Sequence, residues 1–175
     1  MTIIQQIQTE QANELAILAQ DIYKEHYLHL WHPGGADWYM YEKAYQHNRI
    51  KEELTDPFNL YYFIIVNNQT AGYLKLVTNT VFNGQQNSLE IERIYLYKNV
   101  TGKGIGKEVM LFAETIAKKH NAETIFLKAM DSSHDAIRFY QRMGYTISGS
   151  FTLDFALMKE AYRGMYILHK KIPRA

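Results

Sequence analysis

The chain has 175 residues, 47% hydrophobic and 21% charged, so its length and composition fit one globular domain, residues 1–175. Its 19 basic and 18 acidic side chains give a formal net charge of +1, which provides no overall field for nucleic acid or an anionic membrane. With no cysteine, disulfides, thiolate metal sites and a cysteine nucleophile are excluded. The start lacks a basic region followed by an apolar segment, and no run is long enough to span a membrane, so we expect a cytoplasmic protein.

The first part of the chain predicts a strand followed by helices. Ile3 to Gln8 alternates apolar and polar residues as a half-buried strand does, and Thr9 can cap the helix that follows. Pro33, Gly34 and Gly35 break helicity before a second helical run from about Asp37 to Leu54. The region between these helices is therefore a candidate for a mobile lid.

The remainder predicts a mixed α/β sheet. Residues 60–66 and 70–80 flank the polar turn Asn67-Asn68-Gln69 and predict a hairpin. A strand from Ser88 to Tyr97, a helix from Gly104 to His120 and a strand from Thr124 to Ala129 form a right-handed βαβ unit. The expected final elements are a helix over Ser133 to Met143 and strands over Tyr145 to Phe155 and Tyr162 to His169.

The most informative segment is Thr101-Gly102-Lys103-Gly104-Ile105-Gly106-Lys107, which joins a predicted strand to a predicted helix. Glycines allow close backbone approach, and the unpaired N–H groups at a helix start favour a phosphate. No Ser or Thr follows Gly106-Lys107 as a P-loop requires, and the glycine spacing does not fit a dinucleotide fingerprint. An ordinary loop remains the alternative for the glycines alone.

Two spaced motifs resemble the GNAT superfamily of N-acetyltransferases. They are SLEIERIYLYKNVTGKGIGK, from Ser88 to Lys107, and AIRFYQRMGY, from Ala136 to Tyr145. The resemblance implies a GNAT fold, an α/β mixed sheet of about seven strands with a splayed centre and about four helices. It also implies acetyl-CoA as co-substrate. Within the superfamily, the segments around the central strand are most similar to bacterial spermidine/spermine-type N-acetyltransferases.

The same resemblance assigns the cofactor contacts. The backbone of the central strand at Ile94, Tyr95 and Leu96 would pair with the pantetheine arm, and the backbone from Gly102 to Lys107 would hold the pyrophosphate. Lys103 and Lys107 would add positive charge. In the second motif Ala136 and Phe139 would pack beside the pantetheine, with the Tyr140 hydroxyl toward the thioester sulfur. The chain departs from the family pattern at two cofactor positions, where it has Thr101 and Ser133.

Acetyl transfer to an amine needs a general base, because a lysine-like amine has a pKa of about 10.4 and is mostly protonated at neutral pH. Alternation places Glu90 and Glu92 on one face of the central strand, with Arg93 on the other. We expect Glu92 to be the base, directly or through a water, and Glu90 to help bind the cation. The alternative is that they form structural ion pairs with Lys75 or Lys128.

The predicted acid is Tyr140, which would protonate the departing thiolate; a locally bonded, packed tyrosine is its alternative. A backbone N–H near Leu96 would stabilise the oxyanion. Without a cysteine nucleophile, we expect direct transfer in a ternary complex.

The predicted acceptor is a small primary amine, such as a polyamine. Aromatic faces beside carboxylates suit an organic cation, although aromatic stripes more often belong to a core. The candidates are Trp31, Trp38, Tyr39, Tyr41 and Tyr45 with Asp37, Glu42, Glu52 and Glu53. A zinc site at His26, His29 and His32 has no carboxylate partner, so no metal is predicted. Acetylation of a protein or peptide N-terminus, a non-catalytic acetyl-CoA-binding module and a homodimer remain open.

Overall fold

The computed structural model describes residues 1–173 and has a seven-stranded sheet flanked by helices. The strands are β1 (Thr2–Gln6), β2 (Asn59–Val66), β3 (Gln69–Phe82), β4 (Gln85–Leu96), β5 (Thr124–Met130), β6 (Thr146–Thr152) and β7 (Gly164–Lys171). The main helices are α1 (Ala12–Tyr27), α2 (His47–Thr55), α3 (Ile105–Lys119) and α4 (His134–Arg142), and a π-helical segment, Trp38–Ala44, precedes α2. The predicted mixed sheet and helix arrangement are confirmed.

The strand order is β1-β2-β3-β4-β5-β7-β6, and the neighbours are antiparallel except for the parallel pair β4 and β5. Two tight turns fix the first hairpins, since Asn67 and Asn68 have φ values of 50° and 62° while Asn83 and Gly84 have 49° and 76°. Positive φ at both central residues matches the twist of the flanking strands. The helix α3 connects the parallel pair.

Two local predictions were wrong. The helical run expected from Asp37 to Leu54 is divided, because the π-helical segment ends near Tyr45 and α2 starts at His47. Thr9 does not cap α1 directly; it starts a short 3-10 turn, and the Gln8 N–H donates to the Gln11 side chain at 3.0 Å. Each of these two glutamine side chains caps the backbone of the other, so this turn is capped without a Ser or Thr hydroxyl.

Hydrophobic side chains cover the sheet on both faces. On one face α1, the π-helical segment and α2 bury a cluster that includes Leu15, Tyr45 and Tyr61. On the other face α3 contributes Val109 and Ala113 to a second cluster. Apolar residues recurring at helical spacing in α3 therefore dock it across the sheet centre, as its sequence pattern predicts.

The centre of the sheet is splayed. Pairing between β4 and β5 runs from Ser88 opposite Thr124 to Ile91 opposite Leu127 and then stops, although both strands continue. The end of β4 therefore pairs with β3 alone, and a gap opens between its other edge and β5. Within residues 1–173 no helix is both long enough and apolar enough to cross a membrane.

Candidate active site

Two cavities meet where the sheet is splayed. We call the first the central cleft; its walls include Tyr23, Tyr39, Lys128, Ala136 and Phe155. We call the second the edge groove; its walls include His26, Leu96, Thr101, Gly106 and Phe139. Four residues line both cavities, namely Tyr27, Ile94, Tyr95 and Tyr140. A group held in the groove can therefore meet a second group held in the cleft at these four side chains.

The end of β4 offers backbone groups to the groove. The Tyr97 N–H donates to Ala71 in β3 at 2.9 Å, and Tyr73 pairs with Tyr95, so the backbone of Tyr95 faces β3. By alternation, the N–H and C=O of Ile94 and Leu96 face the gap. Of the three predicted pantetheine contacts, Ile94 and Leu96 present backbone, whereas Tyr95 presents its ring.

A histidine that sequence reasoning considered only as a metal ligand contacts this strand end. His26 Nε2 lies 2.8 Å from the Leu96 carbonyl oxygen, which can only accept, so the imidazole N–H donates. His26 comes from α1, and nothing in the local sequence indicates that contact across the fold. It makes His26 a residue of the edge groove that the sequence motifs did not identify.

The glycine loop forms an open cradle at the start of α3. Gly102 and Gly104 have φ values of 76° and 82°, and a Cβ on either would meet nothing within 4 Å. The N–H of Lys107 donates to the Gly104 carbonyl at 3.0 Å, so that amide is already used. The pyrophosphate contact from Gly102 to Lys107 stays a prediction, and the amides of Gly104 to Gly106 are its candidate donors at the helix start.

The side chains of this loop have different environments. The Thr101 hydroxyl donates to the Lys98 carbonyl at 2.8 Å while the residue lines the groove. Lys103 and Lys107 are exposed, so they supply charge near the cradle. The side chain of Ile105 lies on the core face of α3 and is buried, so only the backbone of this residue can contact a ligand.

The helix α4 supplies the opposite wall. Phe139 lies in the groove, where its ring is 3.4 Å from the position of a Cβ on Gly106. Ala136 and Ser133 line the cleft. The Ser133 hydroxyl makes no capping hydrogen bond to α4. The backbone can approach the gap closely here, because Gly106 in α3 has no side chain and Ala136 in α4 has only a methyl group.

Tyr140 lies at the junction of groove and cleft. Burial raises the pKa of the Tyr140 hydroxyl well above its usual range, and Tyr27 adds to the rise. The phenol therefore remains protonated at physiological pH and can donate a hydrogen bond or a proton. No other residue of the second motif lines both cavities within the described chain.

A β-bulge changes the expected orientation of the acidic pair. Leu76 pairs with Ile91 but Lys75 pairs with Arg93, so Glu92 is an additional residue in β4. Arg93 consequently lies on the same face as Glu92, with 3.6 Å between their charged groups. The prediction that Arg93 points to the opposite face was wrong, because simple alternation does not anticipate a bulge.

Both carboxylates form ion pairs with the two lysines that the sequence offered as alternatives. Glu92 lies 2.8 Å from the ammonium of Lys75, which is also 2.8 Å from Glu53 on α2. Glu90 lies 2.9 Å from the ammonium of Lys128. Lys128 lines the central cleft, whereas neither carboxylate does so directly.

Tyr39 is a cleft residue on which this charge network acts electrostatically. Burial raises the pKa of Tyr39, the Arg93 guanidinium opposes the rise and the Glu92 carboxylate adds to it. Glu92 itself does not line the cleft. A proton passing from the cleft to Glu92 needs an intervening water or this hydroxyl.

The predicted aromatic and acidic acceptor residues separate in the structure. Tyr39 lines the cleft, Trp31 and Trp38 pack around Phe155, and Tyr45 is fully buried. Tyr41 is 42% exposed and lies near Lys24. None of the predicted acidic residues lines the cleft as far as the structure describes it: Asp37, Glu42, Glu52 and Glu53. The wall is therefore aromatic without being acidic.

The three histidines of the early region do not converge. His29 packs its ring against Tyr162, and the backbone N–H of His32 donates to the Leu157 carbonyl. The His26 ring instead contacts the end of β4. In residues 1–173 no group of three or more His, Asp or Glu side chains is arranged to hold a metal ion.

Comparison with known proteins gives the family of this chain. Residues 20–145 match the acetyltransferase (GNAT) family, so the chain belongs to that family. Over 107 residues it is 34% identical to an uncharacterized N-acetyltransferase in the pepI 3′ region of Lactobacillus delbrueckii subsp. lactis, covering 60% of this chain and 62% of that relative.

Two further proteins are similar. A spermine/spermidine N(1)-acetyltransferase of Bacillus subtilis (strain 168) is 30% identical over 66 residues, which cover 37% of this chain and 42% of that protein. The solved PaiA N-acetyltransferase of Thermoplasma acidophilum, in complex with coenzyme A, superposes with a TM-score of 0.77 at 21% identity, covering 98% and 99% of the two chains. The chain thus spans less than two thirds of the length of these curated relatives, and the structural likeness extends over the whole fold.

Proposed function

We propose that this protein transfers the acetyl group of acetyl-CoA directly to a primary amine that enters the central cleft. The observation that carries the proposal is the junction at Tyr27, Ile94, Tyr95 and Tyr140, where a groove suited to a pantetheine arm opens into an aromatic cleft. Membership of the GNAT family supports both the chemistry and the co-substrate.

The chain's own groups fit acetyl-CoA. The gap-facing amides of Ile94 and Leu96 can extend the sheet with a pantetheine arm, and the amides from Gly104 to Gly106 can bind the pyrophosphate. Phe139 and Ala136 line the same path. Backbone donors to a charged phosphate form stronger hydrogen bonds than neutral pairs do.

In the proposed reaction the amine lone pair attacks the acetyl carbonyl carbon, and the bond to sulfur breaks. The amine proton passes to Glu92 through a water or through the Tyr39 hydroxyl, since Glu92 does not line the cleft itself. Tyr140 donates a proton to the departing sulfur and regains one through solvent from Glu92, and a backbone N–H near Leu96 stabilises the oxyanion. Without a cysteine nucleophile, both substrates bind before transfer.

Fewer observations support a polyamine acceptor than support acetyl transfer to a primary amine in general. It rests on the name of the Bacillus relative, whereas the acidic side chains expected to hold the far amines of a polyamine lie away from the cleft described above. Acetylation of a peptide N-terminus uses the same chemistry and stays an alternative. Polyamines and short peptides therefore belong in the first acceptor panel beside simple amines and amino acids.

Thiol release tests the proposal. The protein is mixed with acetyl-CoA and each amine of the panel, and free CoA and acetylated amine are measured together by a thiol reagent and mass spectrometry. The proposal expects equal amounts of both products with at least one amine. Binding of acetyl-CoA without transfer to any amine would instead support a regulatory, non-catalytic module.

A further inference from the structure

The one formally charged residue lining the central cleft, among the residues described, is Lys128. It lies in β5 one position beyond Leu127, the last residue that pairs with β4, and therefore at the vertex of the splay. Its ammonium is 2.9 Å from Glu90, whose side chain is 14% exposed against 43% for the lysine. The Lys128 ammonium thus lines the cleft, and the more shielded Glu90 carboxylate lies beside it without lining the cleft itself.

The rest of the wall carries no formal charge and is mainly aromatic and aliphatic. Methionine and leucine side chains contribute to it, Ser133 and the tyrosine hydroxyls are its polar side-chain groups, and the aromatic members are Tyr23, Tyr27, Tyr39, Tyr95, Tyr140 and Phe155. A polycation in such a cleft would leave its far ammonium groups without carboxylates, which is costly on burial. The wall suits one apolar body with its polar groups confined to one end.

We propose that the acceptor is an α-amino acid with an apolar or aromatic side chain, recognised by the Lys128–Glu90 pair. Its carboxylate binds the Lys128 ammonium, its amino group lies beside Glu90, and its side chain packs against the tyrosine wall. A zwitterion complements a lysine–glutamate pair because each charge meets an opposite one, so the shielded Glu90 carboxylate keeps an oppositely charged partner. This inference rests on the proposed acetyl transfer and specifies its acceptor.

The loss of the ammonium charge on acetylation also favours release of the product. Transfer forms the amide bond and breaks the thioester bond to sulfur. The ammonium group loses one proton through the base to solvent before attack, and the second amine proton replaces the one that Tyr140 gives to the sulfur, so Tyr140 ends as a phenol. The N-acetyl amino acid keeps its carboxylate but has no ammonium to place beside Glu90. Binding of the product is therefore weaker than binding of the acceptor, since one charge-assisted contact is lost.

The test uses acceptors matched in shape. Phenylalanine and phenethylamine share the amine and the aromatic body and differ in the carboxylate, and spermidine represents the polycations. With acetyl-CoA saturating, kcat/KM for phenylalanine should exceed that for phenethylamine by about tenfold or more, as a charge-assisted contact is worth. Leucine serves as the aliphatic counterpart.

Variants locate the effect at Lys128. In Lys128→Met the ratio of kcat/KM for phenylalanine to that for phenethylamine should fall toward one, and Lys128→Arg should restore most of it. The matched control is Lys170→Met, which removes the lysine of another shielded lysine–glutamate pair, 2.8 Å from Glu114, outside the cleft. It should leave the ratio unchanged.

The outcomes separate the two proposals. Thiol release with spermidine or phenethylamine but not with amino acids, or an unchanged ratio in a folded Lys128→Met variant, overturns the amino-acid assignment and leaves acetyl transfer standing. Absence of thiol release with every amine, while acetyl-CoA still binds, overturns both. Folding of each variant is checked by its thermal unfolding.

Discussion

At the scale of single residues, Tyr140 is the side chain on which the chemistry depends most. Tyr140→Phe keeps the ring that lines both cavities and removes only the hydroxyl. We expect kcat to fall by about a hundredfold, as loss of a general acid does, with little change in the dissociation constant for acetyl-CoA. Stopped turnover assays and calorimetric binding measure the two quantities separately.

The control for that variant is Tyr62→Phe, which removes the hydroxyl of another buried tyrosine that packs on Phe112 outside the cleft. It should keep the wild-type rate. An equal loss of rate in both variants would mean that the hydroxyl of Tyr140 has no special part in transfer.

Glu92 gives the second residue-scale prediction. Because a protonated carboxyl cannot accept a proton, the wild-type kcat/KM should fall as pH decreases through the pKa of the base. Glu92→Gln should lower kcat/KM by about a hundredfold at neutral pH and abolish that acid limb. Rates measured with one good acceptor across pH provide the test.

Glu53→Gln is the matched control, since Glu53 shares the Lys75 ammonium with Glu92 but comes from α2. Burial acts to raise the pKa of Glu53, but hydrogen bonds from Lys75 and Tyr61 outweigh it and lower the pKa. At pH values above the usual pKa of a carboxyl group, this variant should be less stable than the wild type. Its kcat/KM should still fall at low pH as the wild-type value does. A Glu92→Gln enzyme with a wild-type profile would remove Glu92 from the mechanism.

The catalytic roles of Glu90, Glu92 and Tyr140 stay predictions, whereas the structure confirms the two lysines that the sequence named as alternative partners of the carboxylates. It missed His26, since contact with Leu96 depends on how α1 crosses β4. It also misplaced Arg93, because a bulge arises from the pairing of two strands and leaves no clear local pattern. Contacts between distant segments are the part that local periodicity cannot supply.

At the scale of elements, the glycine loop should be needed for its backbone conformation. Gly104 has a φ of 82° and begins α3, so Gly104→Ala places a side chain in a strained region beside the cradle. We expect a stability cost of about 1–2 kcal/mol and at least tenfold weaker acetyl-CoA binding. Thermal unfolding and calorimetry give the two values.

Gly84→Ala distinguishes strain from ligand contact. Gly84 has a φ of 76°, and a Cβ there also meets nothing within 4 Å, but it lies in the β3–β4 turn away from the groove. Its stability cost should be similar and its acetyl-CoA affinity unchanged. Equal loss of affinity in both variants would argue that strain, rather than the cradle, is responsible.

The free edge of β4 gives a prediction with an internal control. CoA binding should slow amide hydrogen exchange at Ile94 and Leu96, whose N–H groups face the gap. The Tyr95 amide already faces β3 and should change little. Residue-resolved exchange with and without CoA measures this, and slower exchange at Tyr95 alone would place the ligand elsewhere.

At the scale of the whole molecule, the order and type of the elements followed from periodicity, turn residues and the two motifs. The Asn-Asn turn predicted the first hairpin and the βαβ unit predicted the parallel pair. The tight Asn-Gly turn of the second hairpin was not predicted. The aromatic early region could not be assigned in the same way. Some of its rings belong to the core and others line the cleft. The packing of α1 and the π-helical segment determines the position of each ring.

Direct acetyl transfer requires both substrates to be held together where the groove meets the cleft. Initial rates measured while acetyl-CoA and a good amine acceptor are varied test this requirement. Double-reciprocal lines that intersect are expected, because both substrates must be bound before transfer. Parallel lines, with an acetylated protein isolated in the absence of amine, would contradict it.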